Sequence, residues 1–248
     1  MIISASYRTD LPGFYSAWFE RRYQAGFCLV ANPFDQSLRR VPLTAPEVDG
    51  FLFWTRNIAP FVPVLQRLRL DEVPFAVHYT ITGYPRELEH RVPASQRAVG
   101  LCHELAERFG PDVVVWRYDP VLLTDLTPAD WHRRHFESLC RQLAGAANEV
   151  VVSFAQMYRK TTLNLRRSGR EHGFGYQDPD DEAKRALLTE LAAIAAPHGL
   201  RLTVCSQRQL LGPGLDDAAC VDPGRLSRVA GRPIVAARKP HRTACGCS

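Results

Sequence analysis

Two segments of this 248-residue chain end in the same way. Ser4-Ala5-Ser6-Tyr7-Arg8-Thr9-Asp10 and Trp116-Arg117-Tyr118-Asp119-Pro120 each carry a strand-like run into an Arg and an Asp two positions apart. Parallel α/β folds present chemistry this way, because loops at the carboxyl ends of strands hold charge that the core rejects. The feature constrains the fold strongly and the reaction only weakly.

Further strand-like runs recur at 51–55, 75–82, 149–155 and 200–206, so that with 2–6 and 113–119 there are six, plus a short extra candidate at 27–30. Between them, Val99, Leu101, Cys102, Leu105, Ala106 and Phe109 repeat at helical spacing, as do Leu187, Leu188, Leu191, Ile194 and Ala195. Thr127 before Pro128 reads as an N-cap with proline at the first helical position, and Thr44-Ala45-Pro46-Glu47 resembles a capping box. Alternation of strands and helices predicts a parallel sheet, here a partial TIM-like (β/α)6 barrel, with a doubly wound open sheet as the competing arrangement. One α/β barrel domain over 1–231 is expected, followed by a short basic, cysteine-containing tail over 232–248.

At 46% hydrophobic and 23% charged residues the chain can bury a large core, which argues against disorder. Only three of its 31 basic residues are Lys, and a net charge of +5 favours anionic partners weakly. The first residues lack a basic stretch followed by a long apolar one, and nowhere is there an apolar run of about 18 residues, so no signal peptide and no membrane span are expected. Seven cysteines without an export signal suit a reducing compartment, and a cytoplasmic protein is the expectation.

Side chains alternate across a strand, so parity sorts the faces. Ser4, Ser6 and Arg8 share one, as do His78, Thr80 and Thr82, Arg117 and Asp119, and Thr203 and Cys205. Leu202 and Val204 lie on the opposite face, suited to packing under helices. The polar parity is expected to line a central cavity that holds a ligand. The second strand is ambiguous, since Phe53 with Thr55 and Trp54 with Arg56 both mix types.

The candidate catalytic residues are Asp119, Arg117 and Asp10: Arg is suited to clamp a carboxylate or phosphate, and Asp to move a proton. Each has a plainer reading, an ion pair closing the barrel top for the first two and a helix cap for Asp10. Arg8, Trp54, Thr55, Asn57, Thr80, Arg159 and Lys160 are the candidate substrate-binding residues. Asn57 also suits an N-cap, and His78, mid-strand, a hydrogen-bonded core position. Arg159 and Lys160 open a basic segment that continues through Arg166, Arg167 and Arg170, read as a loop over the barrel mouth that attracts phosphate or nucleic acid. Cys205, Cys220, Cys245 and Cys247 are candidate metal ligands, as four thiolates can close a tetrahedral site for zinc or hold an iron–sulfur cluster, although their spacing matches no known finger. Cys28, Cys102 and Cys140 read as core.

Taken in order, residues 4–12, Asn32-Pro33-Phe34, 53–57, 80–84, 116–120, Ser153-Phe154, Cys205-Ser206, Cys220-Val221-Asp222 and Cys245-Gly246-Cys247 resemble the bacterial domain-of-unknown-function 1848 family. Members of that family typically continue past Cys-Gly-Cys with Cys-x3-Cys-x2-Cys, which looks like the cluster motif of radical S-adenosylmethionine enzymes. This sequence holds no Cys-x3-Cys-x2-Cys. The resemblance therefore implies an iron–sulfur barrel enzyme acting on an anionic substrate, with the three-cysteine motif missing, and S-adenosylmethionine only if the sequence is a fragment. The alternatives are a nucleic-acid-binding module and a zinc-stabilised, non-redox barrel.

Overall fold

The computed structural model describes residues 1–6, 9–32 and 34–236. Arg8, Cys245, Cys247 and the basic residues of 238–242 lie outside them. In chain order the elements are β1 (Ile2–Ser4), α1 (Leu11–Phe14), α2 (Ser16–Gln24), β2 (Phe27–Ala31), β3 (Leu38–Pro42), β4 (Gly50–Thr55), α3 (Val62–Leu70), β5 (Phe75–Thr80) and α4 (Ser95–Phe109). There follow β6 (Val114–Val121), β7 (Leu123–Thr124), α5 (Ala129–Leu143), β8 (Glu149–Phe154), α6 (Arg159–His172), β9 (Tyr176–Gln177), α7 (Asp181–Ala195), β10 (Arg201–Val204), β11 (Asp216–Asp217) and α8 (Pro223–Ala230).

Seven strands form one parallel sheet in the order β1-β4-β5-β6-β8-β10-β11, flanked by helices. The six long runs of the sequence are six of these strands. Among the described residues the sheet does not close, which is the partial barrel that the alternation predicts. Two small antiparallel pairs, β2–β3 and β7–β9, stand apart from it.

The outward parity is apolar. Phe51, Phe53, Val77, Tyr79, Trp116, Tyr118, Val150, Val152, Leu202 and Val204 share one buried cluster with Cys102 and Leu105 of α4, Phe136 and Leu139 of α5, and Leu188 and Leu191 of α7. Each such Leu, Val or Phe contributes about 1.5–3 kcal/mol on burial, which makes this the main core. The inward parity buries less. Its apolar part splits into Leu52 and Ala76 beneath Leu226 and Ile234, and Val115 and Val151 against Cys205, Ala218 and Cys220. The ambiguous second strand is thereby resolved: Phe53 and Thr55 face the helices, and Trp54 faces inward.

Several local expectations fail. Residues 44–47 form a turn rather than a helix start. Thr127 does not cap α5, because its hydroxyl donates to the Leu122 carbonyl at 2.8 Å and pairs with Thr124. Asn57 caps nothing: its own N–H donates to Thr55 Oγ1 at 2.9 Å, and the short helical turn at Ala59–Phe61 begins without a side-chain cap. The basic segment from Arg159 is helical, not a loop. It escapes hydrophobic periodicity because Leu165 is its single buried residue. Gly173, at φ 73°, ends it in the left-handed conformation that glycine adopts freely, and Gly169 lets the Phe174 carbonyl approach to where a Cβ would clash.

Candidate functional site

The inward residues at the carboxyl end of the sheet converge. Arg117, buried on β6, donates from Nε to Asp119 Oδ2 at 3.0 Å and also from Nη2 to the same oxygen. Between Tyr118 and Val121 the β6–β8 register shifts, and this irregularity bends the strand where Asp119 sits. Ser153, two residues beyond Val151 on the inward face of β8, donates to the other Asp119 oxygen. The carboxylate is thus held from both sides while a fifth of its side chain stays exposed.

Two sulfurs complete the centre. Cys205 follows β10 and Cys220 precedes α8, and their Sγ atoms lie 3.5 Å apart. Arg117 Nη1 points at Cys220 Sγ from 3.8 Å. Burial alone would lower the Arg117 pKa, but Asp119 first and then the two sulfurs raise it, so the guanidinium stays charged. The Cys205 thiol is pushed up, first by its hydrogen bond to Cys220 and then by burial, with Arg117 opposing. Cys205 therefore holds a proton next to the sulfur of Cys220.

Beneath this pair, His78 stacks on Trp54 with ring centroids 4.7 Å apart. Burial, then the charges of Arg117 and Arg225, hold its pKa well below the ordinary value, so it is neutral. Its Nδ1 has no hydrogen-bond partner, and neither does the buried hydroxyl of Ser6, in the turn that follows β1. The expectation of a hydrogen-bonded core histidine is met only in part.

The remaining candidates are placed as follows. Asp10 accepts from Gly13 N at 2.8 Å and from Arg56 N at 2.8 Å, so both oxygens tie backbone together. Thr55 turns its hydroxyl toward Asn57 on the helix side. Thr80 neighbours Arg117 across the β5–β6 pairing and is half-buried on the inward face. Arg159 and Lys160 are exposed in the first turn of α6. Arg8, Cys245 and Cys247 lie outside the described residues, so of the four cysteine candidates the structure brings Cys205 and Cys220 together.

Sequence reasoning missed Ser153 as a site residue, though its parity with Glu149 and Val151 pointed inward. It also missed a second cluster at the amino end of the sheet. There Arg225 of α8 donates to Glu149 Oε2 at 2.7 Å, to Asn148 Oδ1 at 3.0 Å and to the Asp112 carbonyl at 2.8 Å, while Thr203 donates to Glu149 Oε1 at 2.8 Å. No single-strand pattern signals a partner that is 76 residues away.

Among the described residues no three His, Cys, Asp or Glu side chains form a metal-binding group, and no helix is long and apolar enough to cross a membrane. No curated protein and no solved structure matches this chain. One family model does, over residues 2–248, in agreement with the motifs that run the length of the sequence, and the chain therefore belongs to the family described as Domain of unknown function (DUF1848).

Proposed function

We propose that the carboxyl edge of the sheet is a thiolate metal centre of an enzyme that acts on an anionic substrate. The observation that carries this reading is the Cys205–Cys220 sulfur pair, 3.5 Å apart beside a buried, charged Arg117. Metal–sulfur bonds of about 2.3 Å in a tetrahedral site set sulfurs roughly 3.8 Å apart, so the pair needs to open only slightly to share an ion. Cys245 and Cys247 are the proposed further ligands. An iron–sulfur cluster is the leading occupant and zinc the alternative; S-adenosylmethionine enters this reading only if these residues are a piece of a longer chain that carries Cys-x3-Cys-x2-Cys, which they themselves do not hold.

In this reading the protein supplies charge and proton control. Arg117 offsets the negative charge of the thiolates, and its donors are already directed at Asp119 and Cys220, so it positions the centre rather than clamping substrate. Asp119, partly exposed and oriented by Ser153, is the proposed acid or base, and Arg8, Trp54 and Thr80 are the proposed substrate-binding residues. Iron, zinc and acid-labile sulfide in anaerobically purified protein test the proposal. Iron with sulfide, lost in Cys220→Ser and Cys205→Ser, supports the cluster; stoichiometric zinc lost in the same variants supports the alternative; metal-free wild-type protein sinks both.

A further inference from the structure

Helix α6 carries an arrangement that the sulfur centre does not use. At about 100° per residue, Arg159, Lys160, Arg166, Arg167 and Arg170 fall within an arc of about 120°, and the stripe runs for about 16 Å. All five are exposed, while buried Leu165 lies on the opposite side of the helix. None has an ion-pair partner among the described residues, whereas Arg56, Arg117, Arg133, Arg208 and Arg228 are each committed to a carboxylate. Glu171 is the single acidic residue of the helix, at its far end. Unpaired charges of one sign in a row lower stability through repulsion, and an anion of matching length would relieve it.

A second feature adjoins the stripe. A groove of about 430 Å³ lies between α6 and the chain that follows, lined by Leu165, Arg166, Gly169, Arg170, Phe174 and Tyr176. Of its two aromatic residues, Phe174 is buried and Tyr176 is partly exposed beside two of the arginines. Cationic side chains along a line with aromatic rings next to them are what a single nucleic-acid strand requires: phosphates follow the charges, and a base stacks on a ring. A lipid surface fits less well, because Leu163 is the only apolar residue within the stripe and leaves little to insert. The stripe also starts close to the candidate site, since only residues 155–158 separate the end of β8, which carries Ser153, from Arg159.

We infer that α6 and the adjoining groove bind single-stranded nucleic acid, with the five basic residues on its phosphates and Tyr176 against a base. The inference stands apart from the sulfur centre, and Cys220→Ser leaves it intact. Fluorescence anisotropy on the full chain tests it, using fluorescein-labelled 20-nucleotide oligo-dT and oligo-U, a 20-base-pair duplex, and phosphatidylcholine–phosphatidylserine vesicles.

Five phosphate contacts predict that log Kobs for a single strand falls with log salt at a slope of about −3.5. Arg166→Glu with Arg167→Glu weakens binding at low salt by at least tenfold, Arg159→Gln moves the slope by about 0.7 toward zero, and Arg166→Lys with Arg167→Lys retains binding. Tyr176→Ala weakens it about tenfold without changing the slope. Far-ultraviolet circular dichroism of the variants matches the wild type, because the altered charges are exposed. Binding by either oligomer with these responses supports the inference. It is overturned if the charge-reversed protein binds as tightly as the wild type, if affinity ignores salt, or if duplex or vesicles bind better than both single strands.

Discussion

Arg225 and Arg117 are both buried against a carboxylate on the inward face of one sheet, the first at its amino end and the second at its carboxyl end. Around Arg225, both Glu149 oxygens, the Asn148 amide oxygen and the Asp112 carbonyl are used within the protein, and the Arg225–Glu149 pair is buried. Around Arg117 the partners are a carboxylate that still reaches solvent and two thiols. The same pair of ionic groups is a staple at one end and leaves reactive atoms accessible at the other. Closure by protein partners, not residue type, separates the two roles.

The largest effect is expected at the staple. Arg225→Ala leaves Glu149 buried with only the exposed Arg201, at 3.6 Å, as a charge partner and should cost roughly 3–5 kcal/mol, measured by urea unfolding. A smaller loss there than at Arg117 would reverse the comparison.

Acid comes next, through the histidines. Both His78 and His132 have folded pKa values below the ordinary value near 6.5, and His132 is lowered to about 4, by burial first. The unfolded chain thus binds more protons below pH 6.5, so stability is full above that value and falls as pH drops. His132 alone should cost about 3 kcal/mol by pH 4. His78, set between the two arginines, adds to the slope in the same direction. Unfolding curves at pH 7, 5.5 and 4.5 check this, and His132→Asn should flatten the dependence.

Arg117→Ala should cost about 1–3 kcal/mol, less than at Arg225, because Asp119 keeps Ser153 and its access to water. The same variant should lose whatever metal the sulfurs hold, which Arg225→Lys should not. The smallest effect belongs to Arg201, which reaches the same Glu149 at 3.6 Å but is 62% exposed. Arg201→Ala should change stability by about 0.5 kcal/mol or less, and a larger loss would mean that exposed charge matters to the staple after all.

Much of the fold is legible from short-range pattern. Leu202 and Val204 against Thr203 and Cys205 already place β10 between helices and the inward face, since side-chain direction follows parity. The shared inward face of Arg117 and Asp119 was readable for the same reason, although β6 runs on to Val121, past the end expected at 119. Helix α6 was not, because a helix held by one leucine leaves no apolar stripe to read. The β2–β3 pair was half visible, with 27–30 anticipated for what is the strand Phe27–Ala31, and Leu38–Pro42 hidden by its exposed Leu38, Arg39 and Arg40.

The order of residues alone determined a parallel α/β sheet, its polar and apolar faces, and a charged carboxyl edge, because alternation and strand-end chemistry are local. Only the tertiary structure decided that Cys205 and Cys220 meet beside Arg117, that Ser153 orients Asp119, and that Arg225 closes over Glu149. Those contacts join residues 34 to 103 positions apart, apart from the two cysteines at 15, and depend on strand order and on where α8 returns, which no local pattern encodes.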